Sequence, residues 1–422
     1  MKPASLLARA EQVARQVADQ MTDEKRSERL TRRLAATTSK LTVNTWRPSG
    51  LSMGGAGLAV MCAAFGDAFP DQGWDRTGHH LLSGAVAEIE SSSLDSSLFT
   101  GVVGAAAAVW LSSRDGTRYQ GLLRQLDSLI LPLMRSMSEE PPPGPHTYDV
   151  VNGVAGWVGF LRTRPRSPES DLTAQAVAGV LAGVLSDEGL RRMGYRRARP
   201  GRPSETVVDC GLAHGVAGVL AALSLLRSHV ELDRREITDA IRWGGRWLAG
   251  QARTVGAQIL WPDAVALTPQ EGRPDDAQPL HAGSWCHGSS GVARALYLAG
   301  VAVGEPTFRA LAVEAMRGHC ALHPELASPS VCHGLAGQLL LTLGFAHDTG
   351  DRVFEAGAAQ LAELLFHRYR DGLPLGFREV EAENGTEVDH PGLLRGSQGV
   401  ALALLAGHLK QPPRWGRLLL MW

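Results

Sequence analysis

The sequence predicts an all-α protein, an α/α toroid of about seven helical hairpins. Three observations predict it. A Gly-x-x-Gly frame occurs seven times, with first glycines Gly54, Gly101, Gly153, Gly215, Gly288, Gly334 and Gly396, spaced 46 to 73 residues apart. Most frames open an apolar run, among them GLAVMCAAF, GAAAAVWL, GVLAALSLL, GVARALYLA, GQLLLTLGF and GVALALLAG. Between the runs lie stretches with apolar residues at helical spacing and charge on the other face. With 48 glycines in 422 residues a single frame means nothing, but seven in step with apolar runs mark a repeat.

Residues 1–45 read as an N-terminal helical segment, since MKPASLLARAEQVARQ takes a charge every few residues. Seven repeats then fill about 46–422, all in one domain. In each, an outer amphipathic helix leads through a loop into an inner apolar helix. The outer helices are expected at Tyr119–Met137, Leu172–Leu185, Arg234–Gln251, Thr307–His319 and Val353–His367. The inner runs are too uniformly apolar for a surface helix and must be buried all round. Glycines at the junctions permit tight turns and close approach of chain segments. Strand signals are scarce, and only Gly256–Pro262 and Gly372–Asn384 suggest short hairpins.

An open solenoid needs polar capping repeats. Here the segments after Gly54 and Gly396 are as apolar as the central ones, which favours a closed ring. In a ring the loops into all inner helices share one end, and the residues before each first glycine converge: Met53, Thr100, Asn152, His214, His287, His333 and Arg395. Long loops (Ser138–Thr147, Arg162–Asp171, Arg191–Val208, Pro262–Gly283) would build a binding surface there.

Composition narrows the function. The chain is 44% hydrophobic and 20% charged with net charge −1, so it should hold a large core, and nothing points to nucleic acid. Six arginines between Arg191 and Arg202 read as a solvated loop or, more sharply, as a landing strip for an acidic peptide. No run approaches the ~18 apolar residues of a membrane span, and no signal-peptide stretch opens the chain. Five cysteines do not make a disulfide framework; they suit metal or catalytic use in a reducing compartment, so the chain is expected in the cytosol.

Three frames follow a histidine directly: Ala213-His214-Gly215, Cys286-His287-Gly288 and Cys332-His333-Gly334. Two Cys-His pairs in register within neighbouring repeats suggest a metal site. Cys286, Cys332 and one histidine make a Cys2His set with a fourth position open, the pattern of catalytic zinc. The residues alone leave open whether His287 or His333 is the third ligand. Cys62 and Cys320 fall in helical segments as core residues. Cys210, four residues before His214, is a weaker alternative ligand. His214 has the register without the cysteine and suits a proton donor or acceptor facing the metal, the alternative being a packed histidine. Asp149 precedes its frame by four residues and could orient a histidine, accept a proton or hold substrate; otherwise it is a turn or cap aspartate. His287, Trp285, Asn152 and Arg395 are expected to line the cavity.

From about Ser52 to Ala406 the chain resembles the lanthionine synthetase C-like family, the lanthionine cyclases. The seven frames and the segments YDVVNGVAGW, GLAHGVAG, SWCHGSSG and CHGLAGQ carry the resemblance. It implies an α/α toroid with one zinc in the central cavity, held by Cys286, Cys332 and His333, with His214 and Asp149 as the catalytic histidine and aspartate. Two positions depart from the family pattern: His287 stands where tyrosine is usual, and Ala282 where arginine is usual. The resemblance further implies a stand-alone cyclase, cytoplasmic or peripheral to a membrane-associated biosynthetic complex. Its substrate would be a dehydrated, leader-bearing precursor peptide, and its partners a separate dehydratase and an exporter. The chain length agrees, leaving no room for an attached dehydratase. Cysteine thiolates of the peptide would add to dehydroalanine or dehydrobutyrine to form thioether rings.

Rival readings are weaker. A zinc-dependent thiol alkyltransferase of the prenyltransferase kind includes a carboxylate in its zinc set, which the paired Cys-His motifs do not need. A glycosidase needs two facing carboxylates, and Asp149 and Asp209 do not hold equivalent positions. A non-catalytic zinc scaffold for thiols or peptides would not require His214 and Asp149.

Overall fold

The computed structural model describes the chain except residues 1–2, 38–45, 93–94, 140, 142–143, 200–201, 231, 233, 268–279, 281–282, 323–325, 381–384 and 410. The chain opens with α1 (Pro3–Met21) and α2 (Glu24–Thr37), then α3 (Gly55–Ala68), α4 (Trp74–Ser91), α5 (Val102–Ser112), α6 (Gln120–Glu139), the short α7 (Pro145–Tyr148), α8 (Val154–Thr163), α9 (Pro168–Val184) and α10 (Asp187–Met193). After strands β1 (Tyr195–Arg199) and β2 (Arg202–Asp209) come α11 (Val216–Val230), α12 (Arg235–Gly250), β3 (Arg253–Val255), β4 (Gln258–Leu260) and β5 (Ala264–Ala266). The last part holds α13 (Ser289–Ala302), α14 (Pro306–Leu322), α15 (Leu335–Thr349), α16 (Arg352–Arg368), β6 (Glu379–Val380), β7 (Glu387–Val388) and α17 (Ser397–Ala406).

The apolar runs are the helices α3, α5, α8, α11, α13, α15 and α17, and nearly every residue along them is buried. Each expected amphipathic stretch is a helix within a few residues of its expected bounds: α6, α9, α12, α14 and α16. Helix α12 shows the physical pattern most clearly. Ile237, Ala240, Ile241, Gly244, Gly245 and Leu248 form its buried stripe at helical spacing, and the rest faces outward. Local signals fix the outer helix starts. Ser167 caps α9 through a reciprocal capping box with Ser170, and Asp351 caps α16 by accepting from the Val353 N–H at 3.0 Å.

The chain divides into two compact units. Unit 1, residues 1–126 and 325–416, holds the inner helices α3, α5, α15 and α17. There α4 packs on α3, α16 on α15, and the N-terminal α1 on α17. The last inner helix, α17, also packs against the first, α3, a neighbourhood that a linear repeat array would not produce. Unit 2, residues 127–324 and 417–422, holds α8, α11 and α13 with outer helices α9, α12 and α14.

Both expected hairpins form, though displaced: β3 pairs with β4 across Gly256, whose φ of 59° suits glycine, and β6 pairs with β7. A three-stranded antiparallel sheet, ordered β1-β2-β5, was not expected. The basic stretch read as a solvated loop belongs to it from Tyr195 onward. β1 is an edge strand, and its run of arginines has no apolar alternation to announce it.

The frame glycines are needed for space. A Cβ on Gly218 would stand 2.2 Å from the Leu212 carbonyl oxygen, and one on Gly399 2.0 Å from that of Leu393. In each case the loop leading into the helix lies directly across its first turn. Neither obstacle is a side chain that could rotate away. We expect Gly218→Ala to cost about 1–3 kcal/mol. Gly179→Ala, on the exposed face of α9 with nothing within 4 Å of the added methyl, should instead gain roughly 0.5–1 kcal/mol. Thermal midpoints that move together, in either direction, would contradict the steric account.

Candidate active site

The loops that lead into the inner helices lie side by side within each unit. In unit 2 the Val150 N–H donates to the Ala213 carbonyl at 2.9 Å, and the Ala213 N–H to that of Cys286 at 3.1 Å. In unit 1 the Cys332 N–H donates to Leu394 O at 2.8 Å, the Leu393 N–H to Ser52 O at 2.8 Å, and the Ser52 N–H to Phe99 O at 2.9 Å. These bonds hold the residues ahead of each frame in adjacent strips of loop.

Asp149 follows α7 and is fully buried. Its Oδ1 accepts the backbone N–H groups of Asn152 at 2.6 Å and Gly153 at 3.1 Å, as a turn aspartate would. That fixes the carboxylate so that Oδ2 meets His214 Nδ1 at 2.7 Å and His146 Nδ1 at 3.0 Å. Asp149 therefore serves as turn former and histidine partner at once. The ligand-type atoms of His146, Asp149 and His214 all lie within 4.8 Å of one another.

His214 is followed in space by His287, the two rings meeting edge to face at 5.7 Å. Behind His287 stands Asp209, the last residue of β2, with Oδ2 3.5 Å from His287 Nε2 and Oδ1 accepting the Gly211 N–H at 2.6 Å. Cys286 is buried, its Sγ 3.2 Å from the Ser284 hydroxyl. Three histidines and two buried carboxylates thus form one continuous row in unit 2.

Burial pushes the Asp149 carboxyl up, but hydrogen bonds from His214, His146 and the Asn152 N–H together hold it below the ordinary 3.8. Burial pushes the His214 imidazole down, yet Asp149 and then Asp209 outweigh this and lift it above 6.5. His287 rises to about 9, because Cys286 and Asp209 overcome its own burial. Asp209 is raised by burial, with His287 only partly offsetting it. The two carboxylates therefore bias His214 and His287 toward their protonated forms.

In unit 1 Cys332 and His333 stand at the start of α15, whose N-terminal dipole favours a thiolate. His333 Nε2 lies 2.6 Å from Glu379 Oε1. His390, buried in the loop before α17, accepts the Gly392 N–H on Nδ1 at 3.1 Å. Burial, then the charges of Arg395 and His333, push it down to about 3, so it is neutral.

Other expected residues fall as follows. Asn152 is exposed, with Nδ2 3.3 Å from Asp149 Oδ2, and Arg395 is half-buried. Trp285, expected to line the cavity, is fully buried, and its indole N–H donates to Leu419 O at 3.0 Å, holding the last segment of the chain. Ala282 lies outside the described residues. Cys62 and Cys320 are buried in α3 and α14, and burial takes the Cys62 thiol up to about 12. His146, Asp209 and Glu379 were missed as site residues. His146 sits three residues before Asp149, and that proximity was its only signal.

Fold and site together define the class: a mostly helical α/α-toroid protein with histidines and cysteines clustered ahead of its inner helices. A search among curated proteins finds no match. Among solved structures, nisin cyclase is similar at a TM-score of 0.72 with 20% identity, over 93% of this chain and 97% of that one. Cellobiose 2-epimerase from Bacillus thermoamylovorans B4167 is similar only at a TM-score of 0.40 and 10% identity, over 83% and 85% of the two chains, and carries no weight. The family model of the lanthionine synthetase C-like protein matches residues 45–420. The chain belongs to that family and is a lanthionine synthetase C-like enzyme. Among the described residues no helix is long and apolar enough to cross a membrane.

Proposed function

We propose that the protein is a zinc-dependent cyclase that closes (methyl)lanthionine rings in a dehydrated, leader-bearing precursor peptide. Residues 1–422 act as one domain, with an N-terminal helical segment at 1–45 and seven repeats from about 46 to 422. The observation that carries the reading is the buried Asp149 carboxylate bound to His214 at 2.7 Å. Cys286, Cys332 and His333 hold one zinc per chain. Two thiols and an imidazole, with Glu379 behind the imidazole, are a donor set that suits zinc. When bound, zinc lowers the pKa of a coordinated peptide thiol so that it is a thiolate near neutral pH.

The thiolate sulfur forms a bond to the β-carbon of dehydroalanine or dehydrobutyrine, and the double-bond electrons move onto the enolate. His214, whose pKa is lifted by Asp149 against its burial, gives its Nε2 proton to the α-carbon. Asp149 holds the ring by Nδ1, so the donating nitrogen faces away from the carboxylate. His287 and Asp209 stand next in the row, where histidine replaces the family's tyrosine. A separate dehydratase supplies the substrate and an exporter removes the product, in the cytoplasm or at a membrane-associated complex.

Ring closure leaves mass unchanged but consumes a thiol. Incubating the protein with a peptide bearing one dehydroalanine and one cysteine should remove the peptide's capacity for alkylation by iodoacetamide. Tight binding without thiol loss would favour the scaffold reading.

A further inference from the structure

Glu379 comes from a short hairpin, yet it sits at the root of α15. Its side chain is fully buried. Oε2 is 2.6 Å from the Ser328 hydroxyl, and Oε1 lies 3.4 Å from the Ser330 hydroxyl and 2.6 Å from His333 Nε2. The two serine hydroxyls are 2.8 Å apart, and the Ser330 N–H donates to Ser328 Oγ at 3.0 Å. Pairing of Glu379 with Val388 across β6 and β7 anchors its backbone. A buried carboxylate is tolerated only when its oxygens are satisfied. Here one partner is the imidazole of a residue assigned to zinc.

We propose that Glu379 is a positioning residue for His333: its buried carboxylate, 2.6 Å from Nε2, pairs with the imidazole and holds the ring in place for the metal. The inference rests on the zinc reading given above. The carboxylate does two things for the ligand. It restrains the ring, which otherwise turns about χ2, and its charge beside the imidazole makes the ring a better donor to a cation. Ser328 and Ser330 precede Cys332 in the same loop, so one short stretch of chain supplies both the ligands and the clamp on their carboxylate. Burial serves specificity, since a solvated carboxylate could turn toward the metal itself.

Zinc affinity, measured by competition with a chromophoric chelator, tests this without substrate. Glu379→Gln is expected to weaken zinc about 10–100-fold and to shift the visible bands of the cobalt-substituted protein. In a His333→Gln background, whose residual zinc binding is read at high excess of metal, the same change should alter affinity less than about threefold, because the ligand through which it acts is gone. Wild type without zinc overturns the zinc reading and this inference together. Zinc in wild type and an equal affinity in Glu379→Gln overturns the inference alone. Equal weakening in both backgrounds shows a general structural role and overturns it as well. If Glu379→Gln fails to fold, Ser328→Ala removes one hydroxyl from the clamp and should weaken zinc about fivefold on the same logic, an unchanged affinity being the adverse result.

Discussion

His214→Asn is expected to lower the rate of thiol consumption about 10²–10⁴-fold while zinc content and thermal midpoint stay near wild type. Asparagine can still donate an amide N–H to Asp149 Oδ2, now 2.7 Å from His214 Nδ1, so the loop contact survives. What it cannot do is deliver a proton from the far side of the ring. The rate and the zinc per chain should be measured on one preparation. Full activity would remove His214 as the proton donor and turn attention to His287. Loss of zinc would show that the substitution disturbs more than the proton step.

Asp149→Asn probes the same pair through pH. His214 is raised above 6.5 chiefly by its Asp149 hydrogen bond and charge, working against burial. With the carboxylate gone, burial prevails and the imidazole loses its proton at lower pH. The alkaline limb of the rate profile should therefore move down in pH, while any limb set by the substrate thiol stays in place. The same signs govern stability. The raised His214 stabilises fully below 6.5, and its contribution is lost as pH rises through the folded value above that. The lowered Asp149 stabilises above 3.8, and its contribution is lost as pH falls through the folded value below that. The pair thus favours folding most between 3.8 and 6.5.

The repeat was legible in the sequence because its signals are local. An apolar run such as GVLAALSLL has no polar face to present to water, and a stripe such as Ile237, Ala240, Ile241 and Gly244 has only one face to bury. The His-Gly motifs were legible for the same reason. What the sequence hid depends on partners distant in the chain. Glu379 reaches Ser328, 51 residues away, and no spacing rule joins a hairpin acid to a helix start. Asp209 looked inequivalent to Asp149 when counted from its frame, yet β2 carries it to His287. Trp285, two residues before His287, is fully buried and its indole N–H bonds Leu419 O, a partner 134 residues away in the chain.

Cys332→Ala should reduce zinc from near one per chain to near none and abolish ring closure with it. A structure that keeps two of three protein ligands loses both a bond and the charge that neutralises the cation, and the remaining set no longer suits zinc. Cys286→Ala should behave alike, since the two motifs hold the same register in neighbouring repeats. Cys62→Ala should keep its zinc, because that thiol is buried in α3 with its pKa at about 12. Added zinc should raise the thermal midpoint of wild type and Cys62→Ala but not of Cys332→Ala, as expected when a ligand binds only the folded state. Cys210 supplies the sharpest control. It is buried beside β2, four residues before His214, and was the alternative ligand on spacing alone. Zinc retained in Cys332→Ala and lost in Cys210→Ala would move the metal to the Asp209–His214 loop and leave Cys332 and His333 without a catalytic task.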